Sequence, residues 1–272
     1  MLSSILNVVA LACYLAGGAL LLVRLLRPAE DHAPTQPHAA LWLTAIGLAA
    51  HATVLKLTLF TDEGLNLALN SSSSLMTAMI VALYLAVSAF RPIVNLGIFL
   101  LPLAALAVLL AWIWPGDYIL IPRGMPLMTV HFVVAFVAYS LLALAMLQAL
   151  LVFWQENRLR HRYPGRLLRA LPPLQTMEHL MFQLIAAGFS LLTITLISGT
   201  MFAEAVFGRP LVFTHHVVLA ILAWVTFAVL LLGHWRFGWR GRNAVRWTVG
   251  GFALLVLAYF GSKFVFEILL GR

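Results

Sequence analysis

The chain has 272 residues, of which 63% are hydrophobic and only 10% carry a charged side chain. Soluble globular domains have about 45–50% apolar and about 25% charged residues, so a soluble fold would leave much apolar surface in water. The formal net charge of +8 comes from arginines clustered at the ends of apolar runs, which is typical of membrane proteins and argues against a nucleic-acid partner. The single cysteine, Cys13, excludes a disulfide within the chain.

The apolar residues fall into eight stretches that are long enough to cross a bilayer. A spanning helix needs about 20 apolar residues, because all its backbone hydrogen bonds must be made within the helix. Prolines, glycines or charged residues separate the stretches, and we find no internal repeat and no linker. We therefore predict an all-α, polytopic bundle that forms one domain over residues 1–272. The predicted spans are 5–26, 39–60, 71–90, 93–114, 127–154, 179–207, 213–234 and 246–270.

Positive charge is distributed unevenly between the two sets of loops. Placing both termini outside puts twelve of the 17 arginines and lysines in inner loops and five in outer ones. Because cytoplasmic loops are enriched in these residues, we expect both termini outside. No positive charge precedes the first apolar stretch, so we expect it to be retained as a span.

Histidine is the most informative polar residue type in the predicted spans, where a polar side chain is costly and indicates a function or a specific partner. His131 begins the fifth span, and His215 and His216 open the seventh span at the same depth. His216 and His234 are 18 residues apart, which puts them on one helix face and about 27 Å apart. His51 lies near the middle of the second span.

These histidines suit the axial ligation of haem iron, because two imidazoles from facing helices can hold a porphyrin in an apolar slot. We predict one outer site at which His131 pairs with His216, or with His215. A second site at His51 or His234 is the weaker hypothesis. For each histidine the alternative is a single interhelical hydrogen bond, worth about 1 kcal/mol.

Cations near such a site would pair with the haem propionates. The candidates on the predicted outer side are Arg123, Arg209 and Lys263. For Lys263, an ion pair with Glu267 four residues later is an equally good interpretation. The sequence has no Cys-x-x-Cys-His motif, so we expect haem b to be bound without a covalent link. Motifs for ATP hydrolysis and zinc proteolysis are also absent, and we expect no enzymatic activity.

The second half of the chain resembles the cytochrome c assembly family, whose CcsA- and CcmC-type members are haem-handling membrane proteins. The resemblance is strongest over residues 125–265 and is nearest to the HemX- and YpjD-type inner-membrane branch. A fainter likeness covers GLNLALNSSSSL, which begins at Gly64. The stretches that carry it are HFVVAFVAYSLLALAMLQALLVFWQE from His131, LPPLQTMEHLMFQLIAAGFSLLTITLISG from Leu171, THHVVLAILAWVTFAVLLL from Thr214 and FGWRGRNAVRWTVGGFALLVLAYFGSK from Phe237.

The resemblance implies a haem ligand at His131, which opens the helix after an outer loop. It implies a second at His234, which precedes the Gly-Trp-Arg-Gly turn that begins at Gly238. The family's tryptophan-rich segment is missing, because FAEAVFGRPLVFTHH from Phe202 to His216 has no tryptophan, and the family's C-terminal histidine is not found. We therefore expect a haem-handling protein that works with other assembly proteins, and not a complete cytochrome c synthase.

Two other function classes fit the same residues. The histidines would bind a divalent ion if the chain were a transporter of metal ions or small solutes, or the regulatory membrane subunit of one. The basic segment from Arg158 to Arg169 would suit a scaffold that stabilises a partner enzyme. In every case the lipid bilayer is the expected surrounding.

The predicted topology is testable with reporters fused to the chain. A C-terminal reporter that is active only in the periplasm should give a signal, because the charge distribution places that terminus outside. The same reporter inserted between residues 162 and 170 should be silent. A cytoplasmic signal at the C-terminus would overturn the topology and every depth assigned to the histidines.

Overall fold

A computed structural model describes residues 1–26, 37–62, 64–116, 118–122, 126–161, 171–207 and 214–265, without the side chains of 119–122 and 202–207. Within these ranges, eight helices are long and apolar enough to cross a membrane, which confirms the predicted class and number of spans. The side of the membrane on which the termini lie stays a prediction. The helices are α1 (Leu2–Leu26), α2 (His38–Leu59), α3 (Leu69–Ser88), α4 (Gly97–Ile113), α5 (Pro126–Arg160), α6 (Leu174–Phe207), α7 (His215–Phe237) and α8 (Gly241–Val256). The strands are β1 (Gly64–Asn66) and β2 (Ile119–Pro122).

Two connections are shorter than the sequence predicted. The connection predicted over 155–178 has fewer residues in the structure, because α5 continues to Arg160 and α6 begins at Leu174. The connection predicted over 235–245 shrinks to residues 238–240. Arginine and glutamate are good helix formers, so a charged residue marks where a span leaves the apolar layer and not where the helix ends.

A small antiparallel sheet, which the sequence did not predict, fastens the segment after α2 to the segment after α4. Strand β1 pairs with β2, and the buried Asn66 side chain reinforces the pairing. Its Oδ1 accepts hydrogen bonds from the backbone N–H groups of Ala68 and Tyr118, both at 3.1 Å. Its Nδ2 donates to the carbonyl of Gly116 at 3.0 Å. One amide side chain therefore satisfies three backbone groups, two of which lie about fifty residues away in the sequence.

The described residues form two compact units. The first unit, Met1–Arg123 with Asn157–Pro173, contains the four helices α1 to α4. Helix α1 packs against α2 and α4, and α3 packs against the same two helices. A Cβ at Gly47 would lie 3.0 Å from the Cβ of Cys13, so glycine lets α1 and α2 approach closely. Small residues serve this purpose in lipid, where no hydrophobic force drives helices together.

The second unit consists of Gly124–Glu156 and Leu174–Arg272. Helix α7 packs against α6 and α8, and a Cβ at Gly251 of α8 would lie 2.9 Å from the ring of Phe227. Helix α8 continues as one π-helical turn, Leu257–Gly261. Each unit has its own buried core, and the prediction of one domain over the whole chain stays a prediction.

Large apolar side chains cover the outward surfaces of the helices. Leu57, Leu127, Ile197 and Leu232 are among the exposed residues of this kind. Such surfaces are unfavourable in water and suit contact with lipid tails.

Replacing Asn66 by alanine should destabilise the protein by about 2 kcal/mol, because the three backbone groups lose their shared partner. The control is Asn70→Ala, which removes one exposed hydrogen bond to the carbonyl of Trp114. The free energy of unfolding of the detergent-solubilised protein measures both effects. Equal losses in the two variants would contradict a special role for Asn66.

Candidate functional site

His131 lies near the start of α5 and is held by a serine of α6. Its Nδ1 is 2.8 Å from Oγ of Ser198, and that hydroxyl is also 2.8 Å from the carbonyl of Ile194. A serine hydroxyl has one proton, which it can donate to this carbonyl. In that arrangement the oxygen accepts from Nδ1 of His131, and the lone pair of the neutral ring lies on Nε2. Gly199 lies beside the same ring.

His215 and His216 begin α7 and are both exposed. Their rings are perpendicular, with centroids 6.1 Å apart. Nδ1 of His216 lies 2.9 Å from the hydroxyl oxygen of Thr214, the residue before the helix. The two histidines belong to the same unit as His131. Convergence of His131 with His216, or with His215, on one site stays a prediction.

Lys263 lies over an aromatic cluster that connects α5 to the end of α8. Its Nζ is 5.7 Å from the ring centroid of Tyr259. The Tyr259 ring makes edge contacts with Phe136 and Tyr139, at centroid distances of 5.7 and 6.3 Å. The hydroxyl of Tyr139 donates at 3.3 Å to the carbonyl of Leu255, just before the π-helical turn. Apolar ring surface and a cation are thus combined in the unit that holds His131.

The phenylalanines in the stretch without tryptophan are Phe202, Phe207 and Phe213, whose side chains lie outside the described residues. The same is true of Arg123 and Arg209, and of Glu267, the alternative partner of Lys263. The signal for the aromatic cluster was the spacing of Phe136 and Tyr139, which are three residues apart and so share a face of α5.

His51 is fully buried in the first unit, where it connects three helices. The hydroxyl oxygen of Tyr14 in α1 lies 3.2 Å from its Nδ1, and Oγ of Ser74 in α3 lies 2.7 Å from its Nε2. A neutral imidazole can donate with one nitrogen and accept with the other, so both contacts are satisfied together. This is the interhelical hydrogen bonding that the sequence offered as the alternative to ligation. A ligand role for His51 stays a prediction.

His234 is half-buried near the end of α7 in the second unit. Its Nδ1 is 2.8 Å from the carbonyl oxygen of Trp239. The imidazole stacks on the ring of Phe182 in α6, with centroids 3.5 Å apart and planes 15° apart. Backbone and ring contacts therefore fix the orientation of this histidine. Its assignment as a ligand stays a prediction.

Sequence analysis missed two carboxylates beside the turn between α7 and α8. Glu178 is buried, and its Oε1 accepts the N–H of Gly241 at 2.8 Å. Glu156, at the end of α5, lies 3.8 Å from Nε of Arg242. The available signal was a carboxylate at the edge of an apolar span, which needs a partner at the same depth.

The fold and these buried polar contacts define a multi-pass membrane protein with histidines fixed between its helices. The family model described as cytochrome C assembly protein matches residues 39–270. The chain therefore belongs to the cytochrome c assembly family, as the sequence resemblance predicted. In the described part of the chain, no group of three or more His, Cys, Asp or Glu side chains is placed to hold a metal ion.

Three relatives illustrate how far the similarity extends. The inner membrane protein YpjD of Escherichia coli is 34% identical over 230 residues, which are 82% of this chain and 85% of the relative. The cytochrome c biogenesis protein CcsA of Thermosynechococcus vestitus is 30% identical over 94 residues, 35% of this chain and 30% of the relative. Protein HemX of Brevibacillus brevis is 24% identical over 135 residues, half of each chain. No solved structure matches the chain.

The relative YpjD is an inner membrane protein, and eight helices of this chain are long and apolar enough to cross a membrane. The chain is a multi-pass protein of the bacterial inner membrane. This confirms the localisation that the sequence resemblance implied.

The contacts of His51 give a prediction about stability. Ser74→Ala and Tyr14→Phe should each destabilise the protein by about 1 kcal/mol, because each removes one interhelical hydrogen bond. The matched control is Ser73→Ala, since the Ser73 hydroxyl bonds to a carbonyl of its own helix. Unfolding in detergent measures the losses. Replacing His51 by leucine should abolish the effect of Ser74→Ala, and a persistent effect would contradict the contact.

Proposed function

We propose that this protein binds haem without a covalent link, at a site that includes His131, and that it handles haem during cytochrome c assembly. The observation that carries the proposal is the contact of His131 with Ser198. With the proton on Nδ1, the lone pair of the neutral ring lies on Nε2, which is the state of an imidazole that binds a metal. Metal-binding histidines almost always use the other ring nitrogen in this way.

Residues of the unit that holds His131 fit the two kinds of surface that haem presents. Haem brings an iron with two axial positions, an apolar macrocycle and two propionates. His131 would take one axial position, and His216 or His215 the other. The ring cluster of Phe136, Tyr139 and Tyr259 offers apolar surface. Lys263 offers a cation for a propionate, and Arg123 and Arg209 are the other cations that the sequence proposes for this role.

His234 is the better candidate for a second haem contact. Its Nδ1 faces the carbonyl oxygen of Trp239, which can only accept, so Nδ1 carries a proton and the lone pair of the neutral ring lies on Nε2. His51 differs, because hydrogen bonds engage both of its ring nitrogens. It would have to give up one of them to bind iron.

Family membership supports a role in haem handling, and one relative carries the name of a cytochrome c biogenesis protein. We propose that the chain is not itself an enzyme and acts with other assembly proteins of the membrane. No residue is assigned a catalytic role.

The proposal predicts the absorption spectrum of the purified protein reconstituted with haem. The reduced protein should show sharp α and β bands, which indicate two nitrogen ligands. His131→Ala should abolish these bands. Ser198→Ala should weaken haem binding by about 10–100-fold, because the ring loses the partner that orients it.

The control is His179→Ala, which removes an exposed histidine of α6 that bonds to Gln183. It should leave the spectrum unchanged. A His131→Ala protein with an unaltered spectrum would refute the site. A colourless wild-type protein that binds a divalent ion would favour the transporter instead.

A further inference from the structure

The connection between α7 and α8 is a tight turn of fixed shape. Gly238 ends α7 with a φ of +66°, and Gly241 begins α8 with a φ of +55°. Both values lie in the left-handed region, which glycine adopts without the cost that a Cβ imposes. The N–H of Gly238 bonds at 3.1 Å to the carbonyl of His234. The chain therefore reverses direction within a few residues.

Glu178 reaches this turn from α6. Its Oε1 accepts the backbone N–H of Gly241 at 2.8 Å, and its Oε2 lies 3.6 Å from Nε of Arg240. The side chain of Glu178 is 10% exposed, whereas that of Arg240 is 58% exposed. A hydrogen bond from a backbone N–H to a buried carboxylate is among the stronger kinds, because the acceptor carries a charge. Glu178 thus contacts two consecutive residues of the turn, Arg240 through an ion pair and Gly241 through a hydrogen bond.

His234 also contacts this turn. Its Nδ1 is 2.8 Å from the carbonyl oxygen of Trp239, which requires the proton on Nδ1. Phe182, which stacks on the imidazole, lies four residues after Glu178 in α6. Residues four apart share a helix face, so one face of α6 supports both the turn and the ring.

We propose that Glu178 is a positioning residue for His234. By holding Gly241 and Arg240, its carboxylate keeps the preceding Trp239 carbonyl directed at Nδ1. This fixes the neutral imidazole in the form whose Nε2 has no proton. The inference deepens the proposed function and rests on it for the identity of the ligand, haem iron, that Nε2 would bind.

Packing of Trp239 offers a different way to hold the turn. Its ring contacts the position where Gly233 lacks a side chain and lies 5.6 Å from the ring of Trp247. If this packing alone fixed the carbonyl, the loss of Glu178 would leave His234 unchanged. The two explanations therefore predict different behaviour of one imidazole.

The test is nitrogen NMR of the full chain in detergent, with ¹⁵N-labelled histidine and no added haem. The wild-type His234 should show a protonated Nδ1 and an unprotonated Nε2. In Glu178→Ala the Nε2 signal should move towards the protonated range, because the ring then exchanges between both forms. Glu178→Gln should retain the wild-type pattern, since its amide oxygen can still accept from Gly241.

Two controls separate positioning from general damage. Gln183→Ala, on the same helix, should leave His234 unchanged. The signals of His51, in the other unit, report whether each variant is folded. If Glu178→Ala does not fold, Glu178→Asp provides the test, because the shorter side chain withdraws the carboxylate and should produce the same shift. An unshifted His234 in a folded Glu178→Ala or Glu178→Asp protein would overturn the proposal.

Haem titration of the same samples keeps the two proposals apart. A shifted His234 in Glu178→Ala, with no haem binding by the wild type, would support positioning and refute the proposed function. Haem binding that depends on His131, with the His234 signals unshifted in Glu178→Ala, would support the proposed function and refute the positioning role of Glu178.

Discussion

The constraint on which the structure depends is that polar groups inside a bilayer must find partners within the protein. Helices meet it for the backbone, and side-chain hydroxyls meet it by bonding within their own helix. Thr44, Ser140 and Thr248 are buried, and each donates to the carbonyl four residues earlier. Polar contacts between helices stand out against this background. They include those at His51, at His131 and around Glu178, on which the functional argument rests.

The same constraint explains why the histidines of this chain differ as candidate ligands of iron. Hydrogen bonds from two other helices occupy both ring nitrogens of His51. His131 and His234 each place Nδ1 beside an oxygen, the Ser198 hydroxyl in one case and the Trp239 carbonyl in the other. A neutral ring held in this way keeps its lone pair on Nε2. The partner of the first nitrogen therefore decides what the second nitrogen can do.

Membership of the cytochrome c assembly family gives these contacts a chemical context. Haem needs only one or two protein ligands, because the porphyrin supplies four nitrogens to the iron, so isolated histidines at separate places suit it. In the proposed positioning role, Glu178 acts on the ligand through His234 and not by direct contact. A carboxylate that never touches the ligand would control the proton on the imidazole that does. Haem-binding capacity would then depend on the geometry of the turn as well as on the histidines.

The sequence by itself determined the eight spans and the family, because apolar runs and the Gly-Trp-Arg-Gly turn are local patterns. It also drew attention to His131 and His234. Tertiary structure decided the rest. Asn66 joins segments about fifty residues apart, and Glu178 meets Gly241 from 63 residues away. A linear pattern shows that a polar residue in a span needs a partner, but the partner is chosen by which helices pack together. For that reason the sequence found the histidines, and only the fold showed which nitrogen of each one is held.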